Sequence, residues 1–226
     1  MALFDWLTAD RPDVREAFDD LQVMLRLGDE MFSAATARLL DNEILEMDLE
    51  AVDRGINARE THLREVILDN IGVRGEYEPV DMLKLLGIVH EAERIGDLAK
   101  TISQVADLAA KPRFGSEIPD LREIRDRVSA MFVLTRRSFE GGDAVTHAEE
   151  VLARHEVLKT HVNQKLRELA SSDSLSSNMA VVLALGVRMM GRVSSHLANI
   201  ASAVVLPYRD LRRTHPSRDG KGDPLE

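Results

Sequence analysis

The sequence predicts an all-α fold of two tandem three-helix bundles: six long antiparallel helices carrying an internal repeat. Three observations predict it. Apolar residues recur at steps of three and four along almost the whole chain, which is the helix period. Proline, glycine and serine clusters interrupt that period and divide it into six stretches. The first three stretches match the last three. The chain has 226 residues and is 44% hydrophobic, enough for the core such a fold needs.

In the first helix Val14, Phe18, Leu21, Leu25, Gly28, Phe32, Ala35 and Leu39 form a near-heptad seam. Pro12 suits its first turn, and Asp13 and Glu16 are spaced like a capping box. A second helix is expected over 43–71, with Leu45, Leu49, Val52, Ile56, Leu63 and Ile67 inward. The breaker-rich GVRGEYEP follows. A third helix is expected from about 80 to 110, with Leu85, Val89, Ala92, Gly96, Ala99, Ile102 and Ala106 on its stripe. KPRFGSEIP, 111–119, is the clearest boundary. The fourth helix carries Leu121, Ile124, Val128 and Met131, and ends before Gly141 and Gly142. The fifth carries Val151, His155, Leu158, Val162, Leu166 and Leu169. SSDSLSSN separates it from a sixth, with Met179, Leu183, Met190, Val193, Leu197, Ile200 and Val204 inward.

The repeat is visible in detail. ARETHLREVIL from Ala58 aligns with ARHEVLKTHVN from Ala153, and EAERIGDLAKTI from Glu91 lies over MMGRVSSHLANI from Met189. The two offsets are nearly equal, as a duplicated unit requires. The expected division is an N-terminal segment 1–11, a first repeat 12–110, a linker 111–119, a second repeat 120–213 and a tail 214–226. The tail, THPSRDGKGDPLE, is polar enough to be expected disordered.

Composition narrows function. There is no cysteine, so disulfides and thiolate metal sites are excluded. The net charge of −10 and an aromatic content of 4% oppose nucleic-acid binding. No apolar run reaches the roughly 18 residues of a spanning helix, and MALFDWLTAD lacks the basic region of a secretory signal. The expectation is a cytoplasmic protein with no membrane span. MALFDWL itself reads as a short amphipathic segment that docks on the bundle or on a partner. Neither a phosphate-cradling G-x-x-x-x-G-K-[ST] loop nor a G-x-S-x-G elbow occurs. No histidine has a glutamate three residues before it, so the ligand set of a di-iron bundle enzyme is missing. The chain is expected not to be an enzyme.

The chemistry concentrates in HEAERIGDLAKTI, 90–102. Glu93 and Asp97 stand one helical turn apart beside an apolar stripe. Like charges so placed repel, and carboxylates at the edge of a core lose hydration. A cation belongs near them, from another helix or as a metal ion. Without thiolates, any ion would see oxygen and imidazole.

ERIGD, 93–97, on the third helix of a duplicated three-helix unit resembles the PhoU family, over roughly residues 12–208. The resemblance implies a regulator that restrains phosphate uptake and the phosphate-starvation response. Its implied partners are a phosphate ABC transporter component and a sensor histidine kinase. It also implies a homodimer, and iron or another transition metal (zinc included) held by acidic E/D-x-x-x-D motifs. Carried over residue by residue, the motif keeps Glu93 and Asp97 on the third helix but gives Glu60 and Arg64 on the second. In the second repeat it lands on His155 and Lys159, then on Gly191 and Ser195, so the second site is expected to be erased. The implied metal ligands are Glu60, Glu93 and Asp97. Two readings fit these residues: an ion held by the three carboxylates, or an Arg64 fork crossing to Asp97. The degenerate motifs also allow an accessory subunit of another phosphate or inorganic-ion carrier.

The remaining polar positions have plainer readings. His155 and His196 are expected as hydrogen-bonded core histidines, and Met189 and Met190 as packing. Arg209, Arg212, Arg213 and Arg218 form a basic cluster suited to a membrane surface, a phosphate or an acidic partner, or merely to the end of a helix.

Overall fold

The structure is a computed structural model and describes residues 12–69 and 79–206. Six helices form among them: α1 Pro12–Asp41, α2 Leu49–Asp69, α3 Pro79–Asp107, α4 Ile118–Arg137, α5 Ala144–Ala170 and α6 Ser177–Val205. None is long and apolar enough to cross a membrane. MALFDWL, most of the GVRGEYEP loop, the arginine cluster and the tail lie outside the described residues.

Each trio closes on its third helix. α3 packs against α1 and α2, and α6 against α4 and α5. The trios then meet through equivalent helices, α3 on α6 and α1 on α4. One contiguous apolar core runs through both trios. Phe32 of α1 and Phe132 of α4, both fully buried, tilt against each other across the seam at 5.7 Å between ring centres. The inward stripes behave as the helix period requires. Leu21, Leu25, Phe32, Ala35 and Leu39 of α1 are buried, as are Leu183, Met190, Val193, Leu197 and Ile200 of α6.

The second helix begins later than its expected start at residue 43. Asn42 takes a positive φ of 58°, which ends α1 in the left-handed region that asparagine tolerates. The chain stays non-helical to Asp48, whose Oδ1 accepts the Ala51 backbone N–H at 2.9 Å and caps α2. Leu45, expected on the inward stripe, packs half-buried against the core from this irregular segment.

The connection between the trios is tied down rather than free. Asn42 accepts the Arg113 backbone N–H at 2.8 Å and donates to the Arg113 carbonyl at 3.0 Å. The Arg113 guanidinium donates to the carbonyls of Arg38 and Leu39, which end α1. From the other side, Asn178 of α6 bonds the backbone of Leu108 and Ala110. These bonds satisfy carbonyls that the helix ends would otherwise leave without partners.

Candidate functional site

The acidic residues of the first trio gather where α2 crosses α3. Gly96 permits the crossing: a Cβ there would come within 3.2 Å of Ile56 Cδ1 and 3.3 Å of Asp53 Oδ1. With α2 seated this closely, Glu60 and Glu93 face each other, and both side chains are mostly buried, at 14% and 16% exposure. His90 completes the group. Ligand atoms of Glu60, His90 and Glu93 all lie within 4.8 Å of one another.

Electrostatics at this crossing are strained. Burial, the Asp97 charge and the Glu60 charge together push the Glu93 carboxyl up to about 7, and a hydrogen bond with Asp97 favours its protonated form as well. Without a cation, Glu93 is therefore part-protonated near neutral pH. Arg64 meets Glu60 at 3.0 Å from the same helix. Arg94 comes no closer to Glu93 than 4.0 Å.

Asp97 touches Glu93 but is also held from its other side. Lys100 pairs with it at 3.1 Å and reaches across to the buried Asp53 of α2 at 2.6 Å. Burial works against the Lys100 charge, but the bonds to Asp53 and Asp97 outweigh it and hold its pKa above the ordinary value. Arg94 approaches Asp97 at 3.5 Å. Asp97 thus takes its cation, Lys100, from its own helix, and Arg64 does not cross to it but stays with Glu60 on α2. Of the three expected ligands the structure brings Glu60 and Glu93 together, and it places Asp97 outside their cluster with His90. The sequence signal for His90 was its spacing of three from Glu93, which puts the two on one helix face.

One atom tests whether these residues suit an ion. His90 Nδ1 is buried and makes no hydrogen bond, although it lies 3.6 Å from Glu60 Oε1 and 3.9 Å from Glu93 Oε2. Both spacings are too long for hydrogen bonds. Two ligand atoms bonded to one ion at about 2.0–2.2 Å stand about 3.3–3.6 Å apart at a tetrahedral angle, so the first spacing matches and the second needs a closing of a few tenths of an ångström. Glu60, His90 and Glu93 together are a donor set that could hold a divalent cation.

The equivalent place in the second trio is filled with protein. His155 is buried, and its Nδ1 pairs with Ser194 Oγ at 3.1 Å. A Cβ on Gly191 would come within 3.0 Å of Val162, so packing occupies the space a carboxylate would need. Ser195 turns its hydroxyl back to the Gly191 carbonyl at 3.1 Å. His196 instead joins the seam between trios: its Nδ1 pairs with the buried Glu91 of α3 at 2.7 Å, and Asn199 donates to the same oxygen at 2.9 Å. Met190 is buried in the core and Met189 packs against it.

No protein-family model matches the sequence, and no curated protein does. The structure is similar to the crystal structure of PhoU from Pseudomonas aeruginosa, with a TM-score of 0.76 and 21% sequence identity, over 87% of this chain and 97% of that one. Two three-helix units joined through their equivalent helices, with this match over most of both chains, constitute a PhoU-like fold.

Proposed function

We propose that this chain is a cytoplasmic regulator of phosphate uptake and phosphate-starvation signalling. It acts as an adaptor on a phosphate ABC transporter component, a sensor histidine kinase, or both. Its action is protein–protein contact: one face of the bundle binds a partner and shifts that partner's conformational equilibrium, which needs differential affinity for two states and no chemical step. The observation that carries this reading is the match to a PhoU structure along nearly the full length of both chains. A homodimer, and an iron or zinc ion at the α2–α3 crossing, belong to the same reading.

The filled second site favours one variation. Val162 against Gly191 and the Ser195 hydroxyl bond support the reading of this chain as an accessory subunit of a different phosphate or inorganic-ion carrier.

The test is recovery of partners with tagged full-length chain from phosphate-replete and phosphate-starved cells. Enrichment of a phosphate ABC transporter component or a sensor kinase under replete conditions is expected. A single-chain carrier recovered in their place selects the variation, and recovery of no transporter and no kinase overturns the reading.

A further inference from the structure

We propose that the ion site of this chain is built by Glu60, His90 and Glu93, with His90 in the role that Asp97 would hold, and that it takes one borderline transition ion. The inference rests on the PhoU-like reading only for the expectation of an ion at this crossing. The ligand set comes from this chain's own geometry.

Four observations carry it. His90 Nδ1 is buried with no hydrogen bond, and it faces two carboxylates from two different helices at 3.6 and 3.9 Å. Asp97 is engaged by Lys100, and Lys100 is itself anchored by its 2.6 Å bond to the buried Asp53. An ion that took Asp97 would compete with this lysine, which its bond to Asp53 keeps beside Asp97. The cations beside the cluster, Arg64 and Arg94, have side chains 48% and 50% exposed. They can turn out to water when an ion takes over the charge. In the second trio the packing of Val162 on Gly191 and the His155–Ser194 bond leave no counterpart site, so the described residues offer one ion site.

The donor set decides which ion. One imidazole and two carboxylates suit zinc, iron(II), cobalt or manganese. Calcium takes about six to eight oxygens, and magnesium demands near-octahedral oxygen coordination with several retained waters. Three protein ligands leave a position open to water or to a donor from outside the chain.

The experiment titrates chelator-stripped full-length protein with Co²⁺ in the presence of excess Mg²⁺. It reads stoichiometry, d–d absorption and the paramagnetically shifted imidazole N–H signal. One Co²⁺ per chain is expected, undisturbed by Mg²⁺. Both H90A and the closer-sized H90Q, checked for folding by circular dichroism, should lose the shifted imidazole signal. Each should bind at least about 100-fold more weakly, beyond the roughly 10–100-fold that loss of an outer partner costs. D97N should change affinity by less than about threefold, as expected for a screened neighbouring charge. Loss of binding in D97N with H90A unaffected overturns the proposal, as does binding of more than one ion per chain or of none. Partner recovery is a separate readout. A chain that binds Co²⁺ in this pattern but recovers no transporter or kinase defeats the regulatory reading alone. A chain that recovers a partner but binds no Co²⁺ defeats only the ligand assignment.

Discussion

Replacing Glu93 with Gln removes a charge the fold holds at a cost, so the metal-free variant should be more stable than the parent at alkaline pH. The side chain is 16% exposed, and burial, then Asp97, then Glu60 lift its carboxyl from the ordinary 4.5 to about 7. The folded chain therefore binds more proton than the unfolded chain between about 4.5 and about 7, and stability falls as pH rises across that window. At 1.36 kcal/mol per pH unit the unscreened penalty is about 3 kcal/mol. Solvent and the half-exposed Arg94 screen a site this near the surface, which brings it to about 1 kcal/mol. Glutamine keeps the shape and loses the charge. In the presence of a chelator, E93Q should gain about 2–4 °C in Tm near pH 9 and match the parent near pH 4, where the parent carboxyl is protonated in both states. Urea unfolding at the two pH values measures the same difference as a shift in midpoint at constant slope. A variant less stable than the parent at alkaline pH, or a gain of equal size at both pH values, would refute the reasoning. Zinc added at neutral pH should then reverse the order, stabilising the parent and leaving E93Q where it was.

Three further outcomes follow from the packing. Phe32→Ala should cost about 3–5 kcal/mol and lower the unfolding midpoint of the whole chain in one transition, because Phe32 lies in the seam between trios; a separate early transition of the first trio would contradict the continuous core. Asn42→Ala should cost about 2–3 kcal/mol from a strained positive φ and two lost hydrogen bonds; Asn42→Gly should recover the backbone part only, and equal losses in the two variants would show that the left-handed turn is not the cause. Lys100→Met leaves Asp53 buried without its cation and should cost about 3 kcal/mol at neutral pH, less in acid; a loss independent of pH would mean that the packing of the lysine stem, rather than its charge, matters.

The helical period was legible because it is local. Phe18, Leu21, Leu25 and Phe32 repeat at the spacing of one helix face whatever that helix packs against. The doubling was legible too, since Ala58 with Ala153 and Glu91 with Met189 set equivalent segments at similar offsets. Helix ends were less so. The apolar pattern starting at Leu45 carried an expected helix back to residue 43, whereas the positive φ of Asn42 and the Asp48 cap push the start to Leu49. An asparagine in that turn is held by Arg113, a residue distant in the chain.

The sequence by itself determined that six amphipathic helices form, that the second trio copies the first, and that acidic residues on the second and third helices need a cation. Tertiary structure alone decided which groups answer that need. A carboxylate's partner depends on the rotation and depth of one helix against another, and a change of one residue in that register redirects every side chain on the face. Close approach at Gly96 brings Asp53 of α2 within reach of Lys100, which also pairs with Asp97 on its own helix. The same crossing sets His90 between Glu60 and Glu93. Arg64, an equally good candidate by spacing, stays with Glu60 on its own helix.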